Sequence, residues 1–127
     1  MDEVLSEIER SILYEIEEFG QTLPDLLYYL IYNWDDPSYK IYDFYRSVYE
    51  TVESLRLKGF IELVLIQYTK VTDIRREVVS VEPVPDDAIP AILGNPDNWG
   101  RAEVIRSLER YTYRTTEKGE EFLDSLV

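Results

Sequence analysis

The side chains best suited to grip a polyanion fall in two short runs, Tyr39, Lys40, Tyr42, Arg46 and Ser47 followed by Lys70, Arg75 and Arg76. Lysine and arginine bring donors and permanent positive charge, while tyrosine and serine add hydroxyls, so the set matches phosphate oxygens and base edges. Other chemistry is scarce. The 127 residues include no cysteine and no histidine, which removes disulfides, thiolate nucleophiles, serine–histidine–aspartate triads and nearly every transition-metal site. The acidic pairs Asp35-Asp36 and Asp86-Asp87 each sit near a proline in a turn, with no third acid at helix or strand spacing. They read as solvated turns rather than magnesium ligands. Glu117, Glu120 and Glu121 complement a helix start better than they form a general base. The expectation is a binding protein with no catalytic residue, no metal and no cofactor.

Those residues must be positioned by an α+β fold. Val4, Leu5, Ile8, Ile12, Leu13, Ile16 and Phe19 recur at helical spacing up to Gly20, which predicts a first amphipathic helix. Thr22 is suited to cap a second, with Pro24 in its first turn, Asp25 meeting its exposed amides and Leu23, Leu26, Leu27, Leu30, Ile31 and Trp34 on its inner face. The Asp35–Ser38 stretch is a turn. A third helix over 38–58 is predicted to bury Ile41, Phe44, Tyr45, Val48, Val52 and Leu55, and to end at Lys58-Gly59. The β-branched stretches 61–68 and 77–82 predict a hairpin with a charged tip at 69–76. Four of the six prolines crowd into 82–100, so 82–110 reads as an irregular insertion, with short helices near 87–93 and 101–109. A strand at 111–115 then runs into a helix capped by Thr116, whose Phe122, Leu123 and Leu126 return to the core or to a partner chain. Whether that strand joins 61–68 or forms a third neighbour stays open.

Two motifs carry a family resemblance: Val52-Glu-Ser-Leu-Arg-Leu-Lys-Gly-Phe-Ile61, a helix exit into an apolar strand, and Tyr111-Thr-Tyr-Arg-Thr-Thr-Glu-Lys-Gly119, a strand running into a capped helix. With the helix order they resemble the winged helix-turn-helix regulators of the PadR and MarR families. The resemblance implies one winged-helix domain over 1–127, with the third helix as recognition helix and the hairpin as wing. Tyr39, Lys40, Tyr42, Arg46, Ser47, Lys70, Arg75 and Arg76 are then the DNA-contacting positions. The 82–110 insertion departs from the family, whose wing strands usually follow one another directly.

Charge is segregated along the chain. Of a net −13, the first 36 residues carry ten acids against Arg10 alone, whereas 37–60 and 101–118 are each slightly basic. An acidic field slows approach to a polyanion but is screened beyond a Debye length of ~8 Å, so any contact with nucleic acid has to be local. On the third helix Asp43, Glu50 and Glu53 share the exposed face with Arg46, and they oppose phosphate unless paired within the helix. Eight of eleven tyrosines lie between Tyr14 and Tyr49. Either Tyr45 and parts of Tyr28, Tyr29 and Tyr32 complete the core, or the cluster serves a dimer interface or an effector pocket between the first two helices. No apolar run reaches the ~18 residues of a membrane span, and Met-Asp-Glu is no basic leader, which predicts a cytoplasmic chain without membrane contact. Two functions follow. One is a homodimeric transcriptional regulator binding double-stranded DNA through helix 38–58 and tip 69–76. The alternative is an acidic winged-helix module that binds a basic protein partner and no DNA.

Overall fold

The computed structural model describes residues 5–126, with six helices and a three-stranded antiparallel sheet in an α+β arrangement. Val4 and the side chain of Phe19, both assigned to the first apolar stripe, lie outside what it describes. The first helix, α1 (Glu7–Phe19), opens with a reciprocal cap between Ser6 and Glu9 and closes on Gly20, whose φ of 63° suits a residue without Cβ. Thr22 and Asp25 cap α2 (Leu23–Asn33) in the same reciprocal way, and Pro24 occupies its first turn. Both helices press leucines and isoleucines inward.

Helix α3 (Ile41–Leu57) starts three residues later than its sequence pattern suggests. The Asp36 side chain accepts from the Ser38 N–H and hydroxyl, and the Asp36 carbonyl accepts from the Tyr39 N–H. This turn holds Tyr39 outside the helix and leaves Lys40 as its N-cap. The buried stripe is also narrower than expected. Val48, Thr51, Val52 and Leu55 fill it, while Ile41 and Tyr45 are exposed and Phe44 is only half-buried.

After Gly59 (φ 85°) come β1 (Ile61–Lys70) and β2 (Arg76–Pro83), paired antiparallel, with a bulge opposite Gln67 and Tyr68. The last strand, β3 (Glu109–Thr115), pairs with the other edge of β1 from Ile61↔Thr115 to Gln67↔Glu109, so the order is β2-β1-β3. Glu109, assigned to a helix by its spacing, begins this strand. Beyond β3, Gln21 and Tyr113 exchange both backbone hydrogen bonds, at 3.0 and 2.7 Å, so the link between α1 and α2 adds a one-residue strand to the sheet.

The insertion is more ordered than its prolines suggest. A 3-10 turn at Asp86–Ala88 leads into α4 (Ile89–Leu93), a second at Pro96–Trp99 precedes α5 (Arg101–Arg106), and Ile89, Ile92 and Leu93 enter the common core. Arg56 on α3 anchors it, gripping Glu53 through two nitrogens and Asp86 at 3.1 Å. Finally α6 (Glu117–Ser125) returns Leu123 to the core, with Phe122 against Phe60, while Leu126 stays exposed. Among the described residues no helix is long and apolar enough to cross a membrane.

The two motifs singled out in the sequence meet in space. Thr116 donates its hydroxyl to the Gly59 carbonyl (2.6 Å) and its N–H to the Phe60 carbonyl, and Lys118 Nζ reaches the Lys58 carbonyl (2.6 Å) while lying over the Phe60 ring. Cation and hydroxyl thus satisfy the orphan carbonyls at the end of α3. Gly119 is required because a Cβ there would lie 2.2 Å from the Phe60 carbonyl oxygen. A second tie joins α1 to α3: Glu9 accepts from Ser54 Oγ and Lys58 Nζ, each at 2.9 Å. Burial pushes the Glu9 carboxyl up, but hydrogen bonds from Lys58, the Ser6 N–H and Ser54, together with the Lys58 charge, outweigh it and leave the pKa lowered.

Candidate nucleic-acid interface

Helix α3 presents an exposed stripe beside its core face, because residues three and four apart share one side of a helix. Tyr42, Tyr45, Arg46, Tyr49 and Glu50 occupy it and are exposed, with Lys40 exposed just before the first turn. Arg46 is 60% exposed, and its guanidinium lies 5.9 Å from the centroid of the Tyr42 ring. Asp43 and Glu50 approach Arg46 at 3.9 Å each. At that distance in water such pairs are worth little, so Arg46 is available to a stronger anion.

Tyr39 and Ser47 belong elsewhere. Both are half-buried, and the Ser47 hydroxyl donates to the Tyr39 oxygen at 3.3 Å while the Tyr39 ring meets Phe44 edge-on. They brace the entry to α3.

At the hairpin tip Lys70 and Arg75 are exposed, pairing with Asp73 (3.4 Å) and Glu77 (3.0 Å). Thr72 Oγ1 accepts from the Arg75 N–H and shapes the turn. Arg76 does not face outward with them. It is half-buried, and its guanidinium donates to the carbonyls of Ile105, Ser107 and Arg106 at 2.8, 3.0 and 3.4 Å, which closes the C-terminal end of α5.

Of the eight sequence-assigned positions, five are therefore solvent-facing: Lys40, Tyr42 and Arg46 around α3, and Lys70 and Arg75 at the tip. Two features lay outside that reading. Ile74 is 99% exposed at the very tip. The other is an aromatic groove beside α3, where Tyr45 leans on Trp99 of the insertion with ring centroids 5.5 Å apart. The spacing of Tyr42, Tyr45 and Tyr49 was visible in the sequence, but the residue across the groove comes from 50 positions later.

The acids are distributed differently. Glu15 on α1 has its pKa raised, first by burial and then by the charge of Glu18. Asp36 serves its own turn and Asp86 serves Arg56. Among the described residues no group of three or more acids forms that could hold a metal ion. No family model, no curated protein and no solved structure matches the chain.

Proposed function

We propose that the chain is a winged helix-turn-helix transcriptional regulator that binds double-stranded DNA as a cytoplasmic homodimer, with α3 as recognition helix and the β1–β2 hairpin as wing. The observation that carries the reading is the exposed set Lys40, Tyr42 and Arg46 at the start of α3, on the side away from Val48, Val52 and Leu55. A major groove admits one helix, whose first turns reach base edges, and an arginine there can meet guanine or phosphate. The architecture supports this role. A turn joins α2 to α3, the Thr116–Gly119 motif locks the α3 exit, and the Gln21 bridge extends the sheet next to β3. The helices α4 and α5 are then an elaboration between the wing and β3. Lys70 and Arg75 at the tip suit a neighbouring groove or backbone. Two copies follow from area: one short helix rarely buries enough for specificity, and a two-fold pair reads two half-sites.

The test is fluorescence polarisation with a labelled mixed-sequence duplex at ~50 mM salt. Wild type binds, and Arg46→Ala combined with Arg75→Ala weakens binding about tenfold or more. A folded wild-type protein that leaves the duplex free removes the reading.

A second reading, an acidic winged-helix module that binds a protein and no DNA, is favoured by one observation. Tyr42, Tyr45 and Tyr49 of α3 line an open groove with Trp99, and Glu50 stands on its wall.

A further inference from the structure

We propose that the groove between α3 and the insertion receives an arginine-bearing basic segment of a protein partner. The inference does not rest on DNA binding. Tyr42, Tyr45 and Tyr49, at i, i+3 and i+7, form one wall, and Trp99 and Leu93 form the other, around a cleft of about 400 Å³. A neighbouring cleft of about 320 Å³ over Gly94, Pro96 and Gly100 shares Tyr45 and Trp99, so the surface continues past the first turn of the insertion. Exposures of 63%, 41% and 42% leave the three tyrosine rings open to a ligand. The opposite wall is held in place, because Trp99 Nε1 donates to the Leu93 carbonyl at 2.8 Å. Rigid tyrosine and tryptophan platforms of this kind dominate the binding energy of protein interfaces.

Charge selects the occupant. Glu50, 70% exposed, stands on the groove wall 3.9 Å from Arg46, and the chain carries −13 overall. Aromatic faces attract cations, and a planar guanidinium both stacks on a ring and forks onto a carboxylate, which an ammonium does less well. The protein already uses its rings in this way: Arg46 over Tyr42 at 5.9 Å, Arg101 over Tyr28 at 5.5 Å and Arg110 over Tyr68 at 5.2 Å. Inside the groove no such cation lies over Tyr45, Tyr49 or Trp99 among the described residues. Stacked bases of a single strand also favour aromatic walls, but they require a positive channel along the phosphates. Here the one lining cation, Arg46, already faces Glu50 at 3.9 Å in a chain of net −13, so no positive channel runs along the groove, which favours the peptide. An occupied groove would cover Tyr42 and Arg46, so a basic partner and any other ligand of the α3 face exclude each other.

The experiment uses the intact chain and a fluorescein-labelled peptide of about twelve residues alternating arginine and glycine, with its lysine counterpart, at ~150 mM salt. The arginine peptide binds at least ~5-fold tighter than the lysine one, and Tyr45→Ala with Tyr49→Ala weakens it about tenfold or more. Glu15→Gln, Glu17→Gln and Glu18→Gln together change it less than about twofold, because they lie on α1. Equal or greater loss on neutralising α1 overturns the proposal, since diffuse charge attraction then explains the binding. A tyrosine-dependent oligothymidylate that displaces the peptide also overturns it by making the groove a single-strand site. If the double tyrosine variant fails to fold, Trp99 emission in an otherwise wild-type Trp34→Phe background decides. Emission that shifts on saturation supports the groove, and emission that does not sinks it. A chain that binds the peptide but no duplex keeps this inference and loses the DNA reading, and the converse result separates them the other way.

Discussion

Replacing Gly119 by alanine isolates the contact that holds the α3 exit to the start of α6. An added Cβ meets the Phe60 carbonyl oxygen at 2.2 Å and its carbon at 3.1 Å, and both atoms are backbone. Phe60 cannot simply retreat, because its N–H bonds to the Leu55 carbonyl and its carbonyl accepts from Thr116, each at 3.0 Å. Alanine recovers ~0.5–1 kcal/mol of helix propensity. Against this stand an overpacking cost of ~1–3 kcal/mol and the stretching of the Thr116 and Lys118 bonds to α3, each worth ~1 kcal/mol. The clash wins, and a net loss of ~2 kcal/mol is expected. For 127 residues the unfolding entropy is ~0.27 kcal/mol/K, so Tm falls by ~7 °C. Thermal melts followed by far-UV circular dichroism measure it, with exposed Glu120→Ala as the control expected to stay within ~0.5 kcal/mol. A Tm for Gly119→Ala equal to or above wild type would refute the close-approach argument.

Two further perturbations test the interior. Because the folded pKa of Glu9 lies below the ordinary glutamate value of 4.5, its charged form is the one that folding favours. That stability is present above ~4.5 and is lost as pH falls through and below it. Glu9→Gln should destabilise the chain at neutral pH, with the gap closing in melts taken towards pH ~3, and a gap independent of pH would contradict the Lys58–Ser54 tie. Glu15, raised by burial and then by Glu18, has the opposite sign: Glu15→Gln should stabilise at neutral pH and lose that advantage in acid. Tyr113 is fully buried and its hydroxyl has no hydrogen-bond partner among the described residues. Removing that orphan in Tyr113→Phe should raise stability by ~1 kcal/mol in denaturant melts, and a loss of similar size would show that the hydroxyl is satisfied in solution.

What the sequence discloses here is what local chemistry controls. The Thr22–Asp25 cap, the Gly20 and Gly59 stops and the Thr116 cap were readable because each involves residues a few positions apart. The start of α3 was misjudged for a local reason too: the expected helix 38–58 included Tyr39, but the Asp36 turn captured its N–H. Tyr45 was assigned to the core because its angle fits the apolar stripe. Its burial depends on how wide a face α1 and α2 leave open, and Val48, Thr51, Val52 and Leu55 suffice to fill it. Tyr111–Thr115 read as a strand ahead of the Thr116 cap, but the sequence could not name its neighbour, since both edges of β1 are chemically acceptable. Arg76 looked like a tip cation, and only the placement of the α5 carbonyls beside β2 reveals its role. The groove is the clearest such case, for Trp99 reaches Tyr45 through an insertion whose proline content suggested irregular chain.

The central claim is that α3 and the hairpin tip meet duplex DNA through a few exposed cations in an acidic protein. Four of them, Lys40, Arg46, Lys70 and Arg75, face solvent. Counterion release then predicts that log K falls with log salt at a slope of about −3.6 per copy, or about −7 for a dimer engaging both half-sites. Titrating a labelled duplex by polarisation from ~50 to ~200 mM salt measures that slope, and Arg46→Ala should reduce its magnitude by ~1 per copy. A slope near zero, or one unchanged by Arg46→Ala, would contradict the account.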